Sequence, residues 1–132
     1  MIFADKLRVR KTREQRLVPG QPNHIVSRGN NRRRLFSYPV DYLRYLRLLQ
    51  HASSDYECPL HALCLMSNHV HLLMTPSTVA AASKMMQRVN QRYSQYRNLK
   101  YQATGKLFEQ RFESEPVESD RHLAFCVLYI NA

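Results

Sequence analysis

Glycine is scarce in this 132-residue chain: there are three, and none falls in a GxxxxGK or GxGxxG spacing. Without such a run there is no phosphate-cradling backbone loop, which disfavours a nucleotide-hydrolysing motor. Cysteine is equally sparse. Cys58, Cys64 and Cys126 are odd in number and show no CxxC spacing, whereas disulfide scaffolds use cysteine far more densely, so the three read as reduced core residues. No stretch approaches the roughly 18 to 20 uninterrupted apolar residues of a membrane-spanning helix. The N-terminus reaches Asp5, Lys6 and Arg8 almost at once; it lacks a signal-peptide core, and the expected address is the cytoplasm. No internal repeat or low-complexity tract is visible.

Acidic residues are the other shortage. Ten Asp and Glu stand against 20 Lys and Arg, a formal charge of +10 and a pI near 10.0, which favours a polyanionic partner, with nucleic acid the leading candidate. Residues 1–34 hold ten of the basic residues against Asp5 and Glu14, a net of +8 that leaves +2 for the rest. Hydrophobic residues make up 44% of the chain and charged ones 23%, the usage of one folded domain with a modest core.

Residues 1–21 lack sustained periodicity and finish near a Pro-Gly turn signal, so they read as a basic N-terminal arm, or as a solubilising tail, ahead of a domain over 22–132. The spacing predicts a strand over 24–28 and a basic loop over 29–34. After Pro39, the positions Tyr42, Tyr45, Leu46 and Leu49 mark one buried face of a helix ending near Ser53. Residues 58–66 and 69–75 are apolar runs joined by Ser67-Asn68, an expected antiparallel hairpin. From Ser77 as N-cap, Val79, Ala82, Met86, Val89, Tyr93 and Tyr96 trace a second amphipathic helix. Residues 107–117 are expected as a strand anchored by Phe108 and Phe112, and Asp120 as the cap of a last helix. The order β, α, β, β, α, β, α fits an α+β, ferredoxin-like antiparallel sheet with helices on one face, a fold that serves many activities.

His69 and His71 flank Val70 in a predicted strand, so both imidazoles emerge on one face and can grip one metal ion, while Val70 and Leu72 face the other way. An HxH pair alone is equally compatible with a structural role. Zinc is disfavoured, because a structural zinc site wants four ligands and no cysteine is spaced to supply them. Tyr129 is a candidate nucleophile, since a phenolic oxygen can attack phosphorus and hold a covalent intermediate. Periodicity alone would place it in the core, as it does Tyr42, Tyr45, Tyr93 and Tyr96.

The segment Met66-Ser67-Asn68-His69-Val70-His71-Leu72-Leu73 resembles the M-P-N-H-V-H-L-L signature of single-tyrosine HUH transposases, specifically the REP-associated tyrosine transposases of bacteria. His24 through Arg32 is similar to the family's H-V-x-x-R-G-N-N-R, followed by Leu35-Phe36 and Asp41-Tyr42 at the usual offsets. Gly105 through Phe112 is similar to G-x-L-W-Q-x-R-F, and Asp120 through Ile130 to the helix that carries the nucleophile. Ser67 stands where the family has proline, and the chain stops at Asn131-Ala132 where the family continues into an N-P-V-R-A type segment.

The resemblance implies an HUH transposase catalytic domain over 22–132, shortened at its C-terminus, with Tyr129 on a C-terminal helix as nucleophile. It implies His69 and His71 as ligands of Mg²⁺ or Mn²⁺, and a third ligand one helical turn after the tyrosine, past Ala132. The expected reaction cleaves and rejoins single-stranded DNA beside a hairpin through a 5′-phosphotyrosine intermediate, by a monomer or a homodimer. Arg28, Asn30, Asn31, Arg32, Arg33 and Arg34 are then expected on the hairpin, the arginines on phosphates and the asparagines on base edges. Lys84, Arg88 and Arg92 are expected along the strand, unless they are only a wet helix face. Two rivals remain open: a non-catalytic, domesticated nucleic-acid-binding module of the same fold, and a metal-dependent phosphodiesterase in which water attacks.

Overall fold

A computed structural model describes residues 17–117. Four strands, β1 (Asn23–Arg28), β2 (Leu60–Leu65), β3 (His69–Met74) and β4 (Glu113–Pro116), form one sheet in the order β2-β3-β1-β4. Every pairing is antiparallel. Two helices, α1 (Pro39–Asp55) and α2 (Val79–Lys100), connect the strands and pack on one sheet face, as the alternation of apolar residues demands. Ile25, Val70, Leu72 and Met74 point into that layer beside Tyr45, Leu49, Met86, Val89 and Tyr93. Leu73 packs on the opposite face with Val117, Ala62 and Cys64. The fold is the expected α+β sheet. The expected last helix, with Asp120, Cys126 and Tyr129, lies outside the described residues, as do residues 1–16 of the basic arm.

Local chemistry moves some boundaries. Leu17 is fully buried in the core, and Asn23 both accepts from the Val18 N–H and donates to its carbonyl, so the packed domain takes in residues 17–21 that composition groups with the arm. The cap of α2 is Thr78, whose hydroxyl accepts from the Ala81 N–H; Ser77 instead donates to the carbonyl of Tyr56. Of the expected strand over 107–117 only β4 is regular. Residues 107–109 meet β1 through the Gly29–Phe108 bridge and the Glu109 N–H bond to Arg28, while Phe108 and Phe112 are buried as anchors. Cys58 is buried but Cys64 is half-exposed on β2, an edge strand among the described residues. Tyr45 and Tyr93 meet edge to face at 5.1 Å within the core, whereas Tyr42 and Tyr96 lie at its margin.

Asp41, fully buried, ties the layers together. Its carboxylate accepts the N–H groups of Ser37 and Tyr38 at the start of α1, the hydroxyls of Tyr96 and Tyr101 at 2.7 Å each, and the cations of Arg97 and Lys100 at 3.2 and 2.9 Å. Burial pushes this carboxyl up, but the bonds from Tyr96, Lys100, Tyr101 and the Ser37 N–H outweigh it and hold the group well below the usual carboxylate range. Arg97, also buried, has Asp41 and the Ser37 hydroxyl as partners. Asp41→Ala therefore leaves a buried cation without its counter-charge, and is expected to lower stability by about 3 to 5 kcal/mol in urea titration. Because the folded-state pKa is depressed, the stabilisation is complete well above pH 4. The wild type's advantage over Asp41→Asn, measured the same way, shrinks as pH falls from about 4 towards 2.

Candidate functional site

The sheet face away from the helices carries the histidines. β3 alternates, so His69 and His71 share this face while Val70 and Leu72 go to the core. The two rings stand 4.9 Å apart, centroid to centroid, nearly perpendicular to one another. Antiparallel pairing sets Val26 against His71 and His24 against Leu73, which makes His24 the diagonal neighbour of His71 on the same face. Its Nε2 lies 3.0 Å from His71 Nδ1, with the rings within 20° of parallel. His69 Nδ1 donates to Asn68 Oδ1 at 2.8 Å.

Burial pushes the His71 imidazole down to about 4, helped by its neighbours His24, His69 and Arg28. His69 is lowered too, by burial and by the nearby Arg28 guanidinium. Both rings are therefore neutral at pH 7, the state in which imidazole offers a lone pair to a metal. Two neutral nitrogens whose Nδ1 atoms are already engaged fit a divalent ion approached through Nε2, with its remaining positions filled from elsewhere. Among the described residues no three or more His, Cys, Asp or Glu side chains converge on one metal position.

The basic loop is stitched onto this site. The Gly29 N–H donates to the carbonyl of Asn68, and the Leu35 and Phe36 N–H groups both donate to Ser67, so the hairpin turn before His69 is held from both sides. Asn30 and Arg32 bound a single 3-10 turn, and Asn31 and Arg32 adopt positive φ of 53° and 60°. Within this loop Arg33 turns inward, donating to Asn98 at 2.9 Å and to the carbonyls of Thr104 and Lys106, while Asn31, Arg32 and Arg34 are exposed. Arg28 pairs with Glu113 at 2.8 Å in solvent. On α2, Lys84 and Arg92 are exposed, and Arg88 pairs with Asp55 at 2.7 Å. Thus the structure gathers His69, His71 and the 28–34 loop at one end of the sheet. Arg33 and Arg88 gain internal partners that charge patterning could not reveal. Tyr129 lies outside the described residues. His24 and Asn68 were legible only as motif and turn residues; the clue to more was that strand alternation puts His24 on the face of the HxH pair.

The sheet, with two helices on one face and the paired histidines on the other, defines an α+β domain with a candidate ligand-binding face. The sequence profile described as "Transposase IS200 like" matches residues 18–132, and the chain belongs to that family. Among solved structures it is similar to a REP-associated tyrosine transposase bound to a REP hairpin, at 14% identity and a TM-score of 0.71, with 93% of this chain and 69% of that one covered. It is also similar to a candidate transposase from Deinococcus radiodurans, at 22% identity and a TM-score of 0.61, covering 93% and 96%. At these identities the two structures establish the fold. A search of curated proteins finds no match.

The loop is testable at Gly29, where an added Cβ would stand 2.0 Å from the Arg33 carbonyl oxygen. Backbone has to give way there, so Gly29→Ala is expected to lower stability by about 1 to 3 kcal/mol in thermal denaturation.

Proposed function

We propose that this chain is a metal-dependent single-stranded DNA transposase that cleaves and rejoins DNA next to REP-like hairpins through a 5′-phosphotyrosine on Tyr129. The observation that carries the proposal is the pair of neutral imidazoles, His69 and His71, side by side in an IS200-like domain. The similar transposase whose structure is a REP-hairpin complex supports a hairpin as partner.

His69 and His71 would hold Mg²⁺ or Mn²⁺, which when bound supplies positive charge against the charge developing on a scissile phosphate. The phenolic oxygen of Tyr129 attacks the phosphorus in line, its proton passing to solvent. A phosphotyrosyl bond forms, the P–O3′ bond breaks, and the departing strand leaves with a free 3′-OH. Attack by another 3′-OH reverses these steps and joins DNA with no external energy source. Arg32 and Arg34 project from the loop beside the histidines and hold phosphates of the hairpin, with Arg28, Asn30 and Asn31 at the loop's start. Lys84 and Arg92 extend the charge along α2, and Arg88 can join them by exchanging Asp55 for a phosphate.

The deciding experiment is an SDS gel of the protein incubated with Mn²⁺ and labelled single-stranded hairpins. A metal-dependent shifted band is expected, absent from Tyr129→Phe and from His69→Ala. Near wild-type cleavage by Tyr129→Phe would point to water as nucleophile, and tight binding with no adduct would leave a binding module. In binding titrations across salt concentrations, Arg32→Ala and Arg34→Ala are each expected to reduce the slope of log K against log salt by about 1. Arg33→Ala is instead expected to act through stability, since its donors are spent on Asn98, Thr104 and Lys106.

A further inference from the structure

Imidazole can carry its single proton on either ring nitrogen, and only the unprotonated one can bind a metal. The paired histidines reach the same choice by different routes. For His69 the direction is fixed by chemistry: Asn68 Oδ1 is an acceptor, so His69 Nδ1 must carry the hydrogen of their 2.8 Å bond. For His71 the partner is another imidazole, Nε2 of His24 at 3.0 Å, and a neutral ring can either donate or accept there. A proton lies between those two nitrogens, so they cannot both serve one ion.

We propose that His24 is a positioning residue, accepting the Nδ1–H of His71 and so holding His71 in the tautomer whose Nε2 carries the lone pair. Both rings of the pair then present the same nitrogen, with Nδ1 anchored to β1 in one case and to the hairpin turn in the other. The arrangement is that of a metal site in which each ligating ring donates its second N–H to a fixed acceptor. Here the usual carboxylate or carbonyl is replaced by a neutral imidazole. That choice suits a site meant for a phosphate, because it adds no negative charge next to the DNA backbone. Geometry sets the partnership: His24 and His71 are diagonal neighbours across the β1–β3 pairing, both buried, with their rings within 20° of parallel. The direction of this hydrogen bond, and with it the metal consequence, rests on the function proposed above.

The primary test needs neither metal nor mutation. Long-range ¹H–¹⁵N correlation spectra of the metal-free wild type near pH 7 are expected to show His71 protonated on Nδ1; protonation on Nε2 would overturn the proposal. His24→Gln supplies an amide oxygen as replacement acceptor, and is expected to keep the tautomer and to bind Mn²⁺ within about threefold of wild type by calorimetry. His24→Leu offers no acceptor, and is expected to release His71 into a tautomer mixture and to weaken Mn²⁺ binding by about 10- to 100-fold. Wild-type affinity in His24→Leu would refute the positioning role. An Nδ1–H tautomer in a wild type that binds no Mn²⁺ would uphold the orientation and count against the metal-dependent reading instead.

Discussion

A single buried carboxylate sets the relation between the helices and the loop that frames the site. Asp41 gathers the first N–H groups of α1 together with two hydroxyls and two cations from the last turns of α2 and just beyond. A carboxylate in that position is strongly favoured because so many donors converge on it, and two of them are tied further, Arg97 to the Ser37 hydroxyl and Lys100 to that of Tyr96. The consequence reaches the sheet. Residues 29–37 run between β1 and α1, and by fixing the entry to α1 the carboxylate fixes the frame of the loop whose N–H groups clamp Ser67 and Asn68. The turn that delivers His69 is thus held by hydrogen bonds that trace back to the helix layer.

The site itself works by withholding charge from histidine. A solvent-exposed imidazole is partly protonated near neutrality, and a cationic pair would repel a metal ion. Burial against the sheet, with the Arg28 guanidinium nearby, favours the neutral form of both rings. The same arginine adds to the positive field in which a phosphate would sit, so one residue serves both ends. Its ion pair with Glu113 is exposed on both sides and is weak enough to exchange for a nucleic acid.

The Arg-Gly-Asn-Asn-Arg-Arg-Arg run divides its labour between structure and surface. Gly29 is required because the chain doubles back so tightly that any side chain would enter the Arg33 carbonyl. Arg33 is spent on carbonyl and amide acceptors of the 98–106 segment. What remains pointing outward is Asn31, Arg32 and Arg34, on a loop hydrogen-bonded to the Ser67-Asn68 turn.

Much of this was legible beforehand, because periodicity is a local property. Alternation in β1 and β3, the 3.6-residue stripes of α1 and α2 and the Ser67-Asn68 turn prescribe an α+β sheet with helices on one face, and they put His69 and His71 on the other. The run of arginines likewise favours a polyanionic partner, which the proposed function takes to be a DNA hairpin. Sequence alone could not say which arginine faces inward, since Arg32, Arg33 and Arg34 have the same chemistry and differ only in what the 98–106 segment brings near them. Nor could it reveal that Asp41 is buried under six donors, or that His24 reaches His71. Apart from the local Ser37 and Tyr38 N–H groups, those are contacts between residues 47 to 60 positions apart. They exist because strand register and helix packing close the distance, and neither is encoded in any short window of the chain.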